Sequence, residues 1–107
     1  MVSGEVDRIQ HNLARLPEVQ EVTVQYANSS GFRHGVRVLF TGHAGSDLSA
    51  LTDAALKAVW TSRITPIETL IVWGKAEGES VMKTELDVSD TETIRRLTEQ
   101  FGPRPAN

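Results

Sequence analysis

A chain of 107 residues with 39% apolar and 23% charged side chains has the length of one soluble domain, and folding at this size buries roughly 65% of the surface of the unfolded chain. A net charge of −3 and a pI near 5.5 supply no clustered basic surface for nucleic acid. No apolar run approaches the roughly 18 residues of a membrane span, and the lack of cysteine excludes disulfides, thiolate catalysis and cysteine-ligated zinc or iron–sulfur sites.

The first predicted helix carries Val6, Ile9, Leu13 and Leu16 at i, i+3, i+7 and i+10, and Pro17 ends it by disfavouring helix at the residue before it. Val22, Val24 and Tyr26 alternate with Glu21, Thr23 and Gln25, the period of a strand with one buried face. Asn28-Ser29-Ser30-Gly31 is a dense turn signal. The segment 28–35 therefore reads as a mobile hairpin loop anchored by Phe32 alone. The second strand repeats the alternation with Val36, Val38 and Phe40, before Gly42-His43-Ala44-Gly45 stops it.

The central helix follows, with Leu48, Leu51, Ala55, Ala58 and Val59 on one side and Leu56 and Trp60 widening the stripe. Ser46 or Asp47 is its predicted cap, and Pro66 places its end near 60–62. Leu70-Ile71-Val72-Trp73, bounded by Pro66 and Gly74, is apolar without alternation and predicts a strand covered on both faces or central in its sheet. After a second hairpin loop at 76–79, Met82, Thr84, Leu86 and Val88 form the alternating set of a fourth strand. Ser89-Asp90-Thr91-Glu92 has capping-box spacing. The third helix shows Ile94, Leu97 and Phe101 on one stripe, then Gly102-Pro103 as a stop and a frayed tail over 102–107.

These elements make one α+β domain over 1–107, a four-stranded sheet with helices mainly on one face in the order α-β-β-α-β-β-α. A helix linking strands two and three makes them parallel. The sheet then runs 1-2-3-4 as a mixed sheet or 2-1-3-4 as an antiparallel one, with strand three interior in both.

Three stretches resemble known families. LeuProGluValGlnGluValThrVal, residues 16–24, resembles the helix-to-strand link of heavy-metal-associated and other ferredoxin-like domains, without the paired cysteines that bind metal there. The two αββ units resemble the BON domain of bacterial envelope proteins, which implies binding of phospholipid or other envelope components. Gly35 to Gly42, the counterpart of its glycine-spaced strand, is one residue longer than that pattern. AlaValTrpThrSerArgIle, residues 58–64, resembles a segment of small uncharacterised exported proteins of actinobacteria. No functional residue carries over from any of them.

Candidate chemistry is sparse. His11, His34 and His43 invite a metal reading, but His34 and His43 bracket the second strand and stand about 30 Å apart if it is extended, too far to share an ion unless the loops fold back. Neither a Gly-x-Ser-x-Gly elbow nor a Walker loop occurs. No catalytic residue, metal site or cofactor is predicted. Trp60, with Arg63 three residues on, and Trp73 stand out as ligand or partner contacts, although a core role accounts for both tryptophans. Alternation also turns Leu39 and Val81 to the sheet face away from the helices, together with either Ile71 and Trp73 or Leu70 and Val72, unless the third helix or the Phe32 loop covers that face.

The function expected is a non-catalytic binding or assembly module with a homo-oligomer or protein partner on its sheet face. It would belong to a bacterial envelope protein if an export signal has been trimmed, and otherwise to the cytoplasm. The alternative is a small enzyme or ligand-binding domain with a site near loops 28–35 and 61–66.

Overall fold

A computed structural model describes residues 2–27, 34–62, 64, 67–76 and 81–104. The elements run α1 (Val2–Ala14), β1 (Val19–Ala27), β2 (Gly35–Gly42), α2 (Leu48–Trp60), β3 (Thr69–Ala76), β4 (Val81–Asp87) and α3 (Thr91–Phe101). The four strands form one sheet in the order β1-β2-β3-β4. β1 and β2 pair antiparallel, β2 and β3 parallel, and β3 and β4 antiparallel, so the mixed sheet is the one formed. The antiparallel order 2-1-3-4 does not occur.

One alternate set of strand residues faces the helices. Val22, Val24, Val36, Val38, Phe40, Leu70 and Val72 are buried against Ile9 and Leu13 of α1, Leu51, Ala55, Leu56 and Val59 of α2, and Leu97 of α3. The parallel pairing of β2 and β3 is enforced by α2, which carries the chain back along the sheet on this side. Asp47 caps α2 by accepting from the Ala50 N–H at 3.1 Å.

Several details differ from the expectations. β3 does not stop at Gly74 but continues to Ala76, because Gly74 lies beneath the Phe40 ring of the adjacent strand. A Cβ on Gly74 would stand 2.1 Å from Phe40 Cζ, a distance no side chain tolerates. Of the two expectations for β3, the central place in the sheet is the one met, since it lies between β2 and β4 while Trp73 is 45% exposed on the open face. Ile64, with no exposed surface, joins the core from the segment after α2, although it belongs to no periodic stripe.

α3 is capped by Asp90, which accepts from the Thr93 N–H at 3.0 Å, and not by Ser89. Ser89 is occupied elsewhere, its N–H and hydroxyl both donating to the Asp87 carboxylate. Ile94 of the predicted stripe is exposed, while Leu97 is buried and Phe101 packs at the core margin. The predicted fraying does not extend to 102–104. Arg104 donates to the carbonyls of Val59, Trp60 and Ile64, which ties the segment after α3 to the C-terminus of α2. The guanidinium satisfies carbonyls that a helix end leaves open and sits at the negative end of its dipole.

Candidate functional site

The alternate strand set that does not face the helices forms an open face, ordered in rows by the strand register. Glu21, Thr41, Lys75 and Val81 make one row; Thr23, Leu39, Trp73 and Lys83 the next; Gln25, Arg37, Ile71 and Glu85 the third. Each apolar residue is placed by alternation. Because Leu70 and Val72 face the helices, Ile71 and Trp73 must face outward.

Leu39 and Trp73 lie side by side across the parallel pair at the centre of this face. Trp73 is 45% and Val81 53% exposed. Lys83 Nζ sits 5.4 Å from the Trp73 ring centroid and 3.9 Å from Glu85, so a cation covers one flank of the indole. An open groove of about 390 Å³ runs over the face, lined by Glu21, Thr23, Leu39, Thr41, Trp73 and Lys75. Arg37, Lys75 and Lys83 are balanced there by Glu21, Glu85 and Asp87, in a chain that is acidic as a whole. α3 does not cover the face: Leu97 belongs to the core on the helix side, and Gly102 beyond its end accepts the Trp60 indole N–H. The Phe32 loop lies outside the described residues.

The predicted contact residues therefore divide. Leu39, Trp73 and Val81 share the open face. Trp60 lies on the other side of the sheet, 3% exposed, with its Nε1–H donating to the Gly102 carbonyl at 2.7 Å and Arg104 stacked 5.6 Å from its centroid. The core reading of Trp60 thus holds, and its ring offers no surface to a ligand. Arg63 lies outside the described residues. Glu21, Thr41 and Lys75 were missed as groove residues. Lys75 could have been found by continuing the alternation past Gly74.

A second locus lies at the end of the sheet where β1 finishes and β2 and β3 begin. His34 Nδ1 is 3.3 Å from Glu68 Oε1, and the Tyr26 ring is 6.4 Å from the imidazole. Partial burial, and then the negative charge of Glu68, raise the Tyr26 pKa. Of the two loops named in the alternative reading, 28–35 reaches this locus through His34, whereas Glu68 lies beyond 61–66, whose described residues Ser62 and Ile64 are buried in the core. Yet the same Glu68 oxygen accepts the His34 main-chain N–H at 3.2 Å, and the Glu68 N–H donates to the His34 carbonyl at 2.7 Å. The pair braces the start of two strands. Among the described residues, no group of three or more His, Asp and Glu could hold a metal ion, and no helix is long and apolar enough to cross a membrane.

Comparison of the chain with family models, with curated proteins and with solved structures finds no match in any of the three.

Proposed function

We propose that the protein is a non-catalytic binding module that docks a protein surface on the open face of its sheet. The observation that carries this reading is the cluster of Leu39, Ile71, Trp73 and Val81 on the face that no described helix covers. Folding accounts for apolar residues on the helix side; it does not account for these. The chemistry fits protein more closely than other partners. Its charges are balanced, which suits neither a polyanion nor an anionic membrane surface, and an aromatic centre framed by both signs of charge matches the make-up of protein interfaces. The groove of about 390 Å³ is an open trough along the strands and not an enclosed cavity. An envelope setting rests on the element order shared with BON-like modules and on the resemblance of residues 58–64 to exported proteins.

The test is site-specific photo-crosslinking in the cells that make the protein, with the reactive residue at position 39 or 73 and, as control, at Gln100 on the exposed side of α3. The same protein should be captured from 39 and 73, lost with Val81→Glu, and absent from position 100. Equal capture from all three positions, or none from 39 and 73, would remove the reading.

The second reading, a ligand-binding or enzymatic site at the sheet end, is favoured by the approach of His34, Glu68 and Tyr26. The main-chain bonds that occupy Glu68 weigh against it, since a carboxylate already accepting a backbone N–H is a brace before it is a base.

A further inference from the structure

The two edges of the sheet are finished differently. On β1, Gln10 reaches over from α1 and its Oε1 accepts the Val24 main-chain N–H at 2.9 Å, so an edge donor is satisfied within the molecule. A register shift between Val19 and Glu21 also bends that edge. Both devices discourage pairing with another chain. β4 lies at the other edge, and among the described residues no strand pairs with its outer side.

The middle of β4, Met82-Lys83-Thr84-Glu85-Leu86, is complementary to itself about Thr84. If two copies run antiparallel with Thr84 opposite Thr84, Lys83 meets Glu85 of the second copy and Met82 meets its Leu86. The Lys83–Glu85 pairs lie on the open face and the Met82–Leu86 pairs on the helix side, and at the two ends Val81 meets Asp87 of the second copy. Shifting the register by two residues puts Lys83 opposite Lys83 or Glu85 opposite Glu85; shifting it by one sets the open face of one copy against the helix face of the other. Met82, 37% exposed although it lies on the helix side, is the residue that such a partner would cover. Edge charges of one sign keep strands apart, but alternating signs on one face attract an antiparallel copy.

We propose that the protein associates with a second copy of itself by antiparallel pairing of its β4 edges, centred on Thr84. The two-fold axis is perpendicular to the sheet. It generates an eight-stranded sheet with about six to eight new main-chain hydrogen bonds, because every second edge residue turns both its N–H and its C=O outward. Both open faces lie on the same side, with the Lys83 and Glu85 charges of the two copies forming a square between the two Trp73 rings.

This inference stands independently of the open-face reading, and charge reversal separates the two. Sedimentation equilibrium of the wild type should show a monomer–dimer equilibrium. Lys83→Glu and Glu85→Lys, both at well exposed side chains, should each weaken it by about ten-fold, because two attractive pairs become repulsive. The double reversal should restore it, and mixing the two single variants should give a heterodimer tighter than either homodimer, read by native mass spectrometry. A wild type that is monomeric throughout, a dimer indifferent to both reversals, or a dimer abolished by Leu39→Glu would each overturn the proposal. The last of these would instead place self-association on the open face.

Discussion

Val72 and Trp73 are neighbours in the chain and lie on opposite faces of the same strand, one with no exposed surface and the other with nearly half. On the helix side, every strand contributes to a core closed by α1, α2 and α3, and its buried apolar residues are explained by the water they exclude, Met82 at the β4 edge being the exception. On the open side Leu39, Ile71, Trp73 and Val81 have comparable apolar character, yet they sit among charges with no described helix above them. The same physical preference thus has two outcomes, and only the second leaves surface for another molecule. Two faces of one sheet separate what the chain needs in order to fold from what it has left over.

The largest test of that difference compares adjacent positions. Leu70→Ala, at a site 1% exposed, should cost about 2 to 5 kcal/mol in urea unfolding, through lost burial and the cavity left behind. Ile71→Ala, one residue along and on the open face, should cost less than half as much. Equal losses would mean that the open face is packed like the core.

Gly74→Ala sharpens the comparison from the helix side. Its added methyl meets the Phe40 ring, and overpacking of this kind costs about 1 to 3 kcal/mol. Combining it with Phe40→Leu should give a loss smaller than the sum of the single losses, because the smaller side chain yields the space. Strict additivity would show that the ring is not the obstacle.

Much of this architecture was legible. All seven elements and their order follow from period and turn chemistry, since helices with stripes such as Leu51, Ala55 and Val59 and strands with alternation such as Val36, Val38 and Phe40 differ in repeat. The choice between two sheet orders was not legible, because strand order depends on which edges meet in space and leaves no local pattern. Gly74 was read as a terminator since glycine usually weakens a strand; its use beneath Phe40 depends on a residue 34 positions away. Trp60 and Trp73 carry equal signals as aromatic residues, and only the register distinguishes the buried one from the exposed one. The Arg104 clasp was invisible for the same reason. Its acceptors are carbonyls, which every residue has.

That clasp yields the next effect in size. Arg104→Ala removes three donations to carbonyls at the α2 terminus and the cation over Trp60, and should cost about 1 to 2 kcal/mol. With Trp73 replaced by Phe, the remaining indole is Trp60, and its emission should shift to longer wavelength as water reaches it. A stability loss without that shift would place the effect of Arg104 away from the indole. Either result bears on the helix side alone, so sheet-face binding should be unchanged.

The smallest expected effect on folding is the most informative about the open face. Leu39→Glu places a charge beside Trp73 in the groove. If the face is exposed in the folded monomer, the carboxylate stays hydrated and the cost is limited to the lost Leu39–Trp73 contact, less than about 1 kcal/mol. A buried Leu39 would instead force a charge into an apolar site at a cost of several kcal/mol. Urea unfolding measured at a concentration where the protein is monomeric distinguishes these cases. A loss above about 2 kcal/mol would mean that chain outside the described residues folds over the groove, and Leu39, Ile71 and Trp73 would then be core on both sides of the sheet. A small loss keeps Leu39 at the surface, and any binding defect of Leu39→Glu must then come from the docking surface and not from a damaged fold.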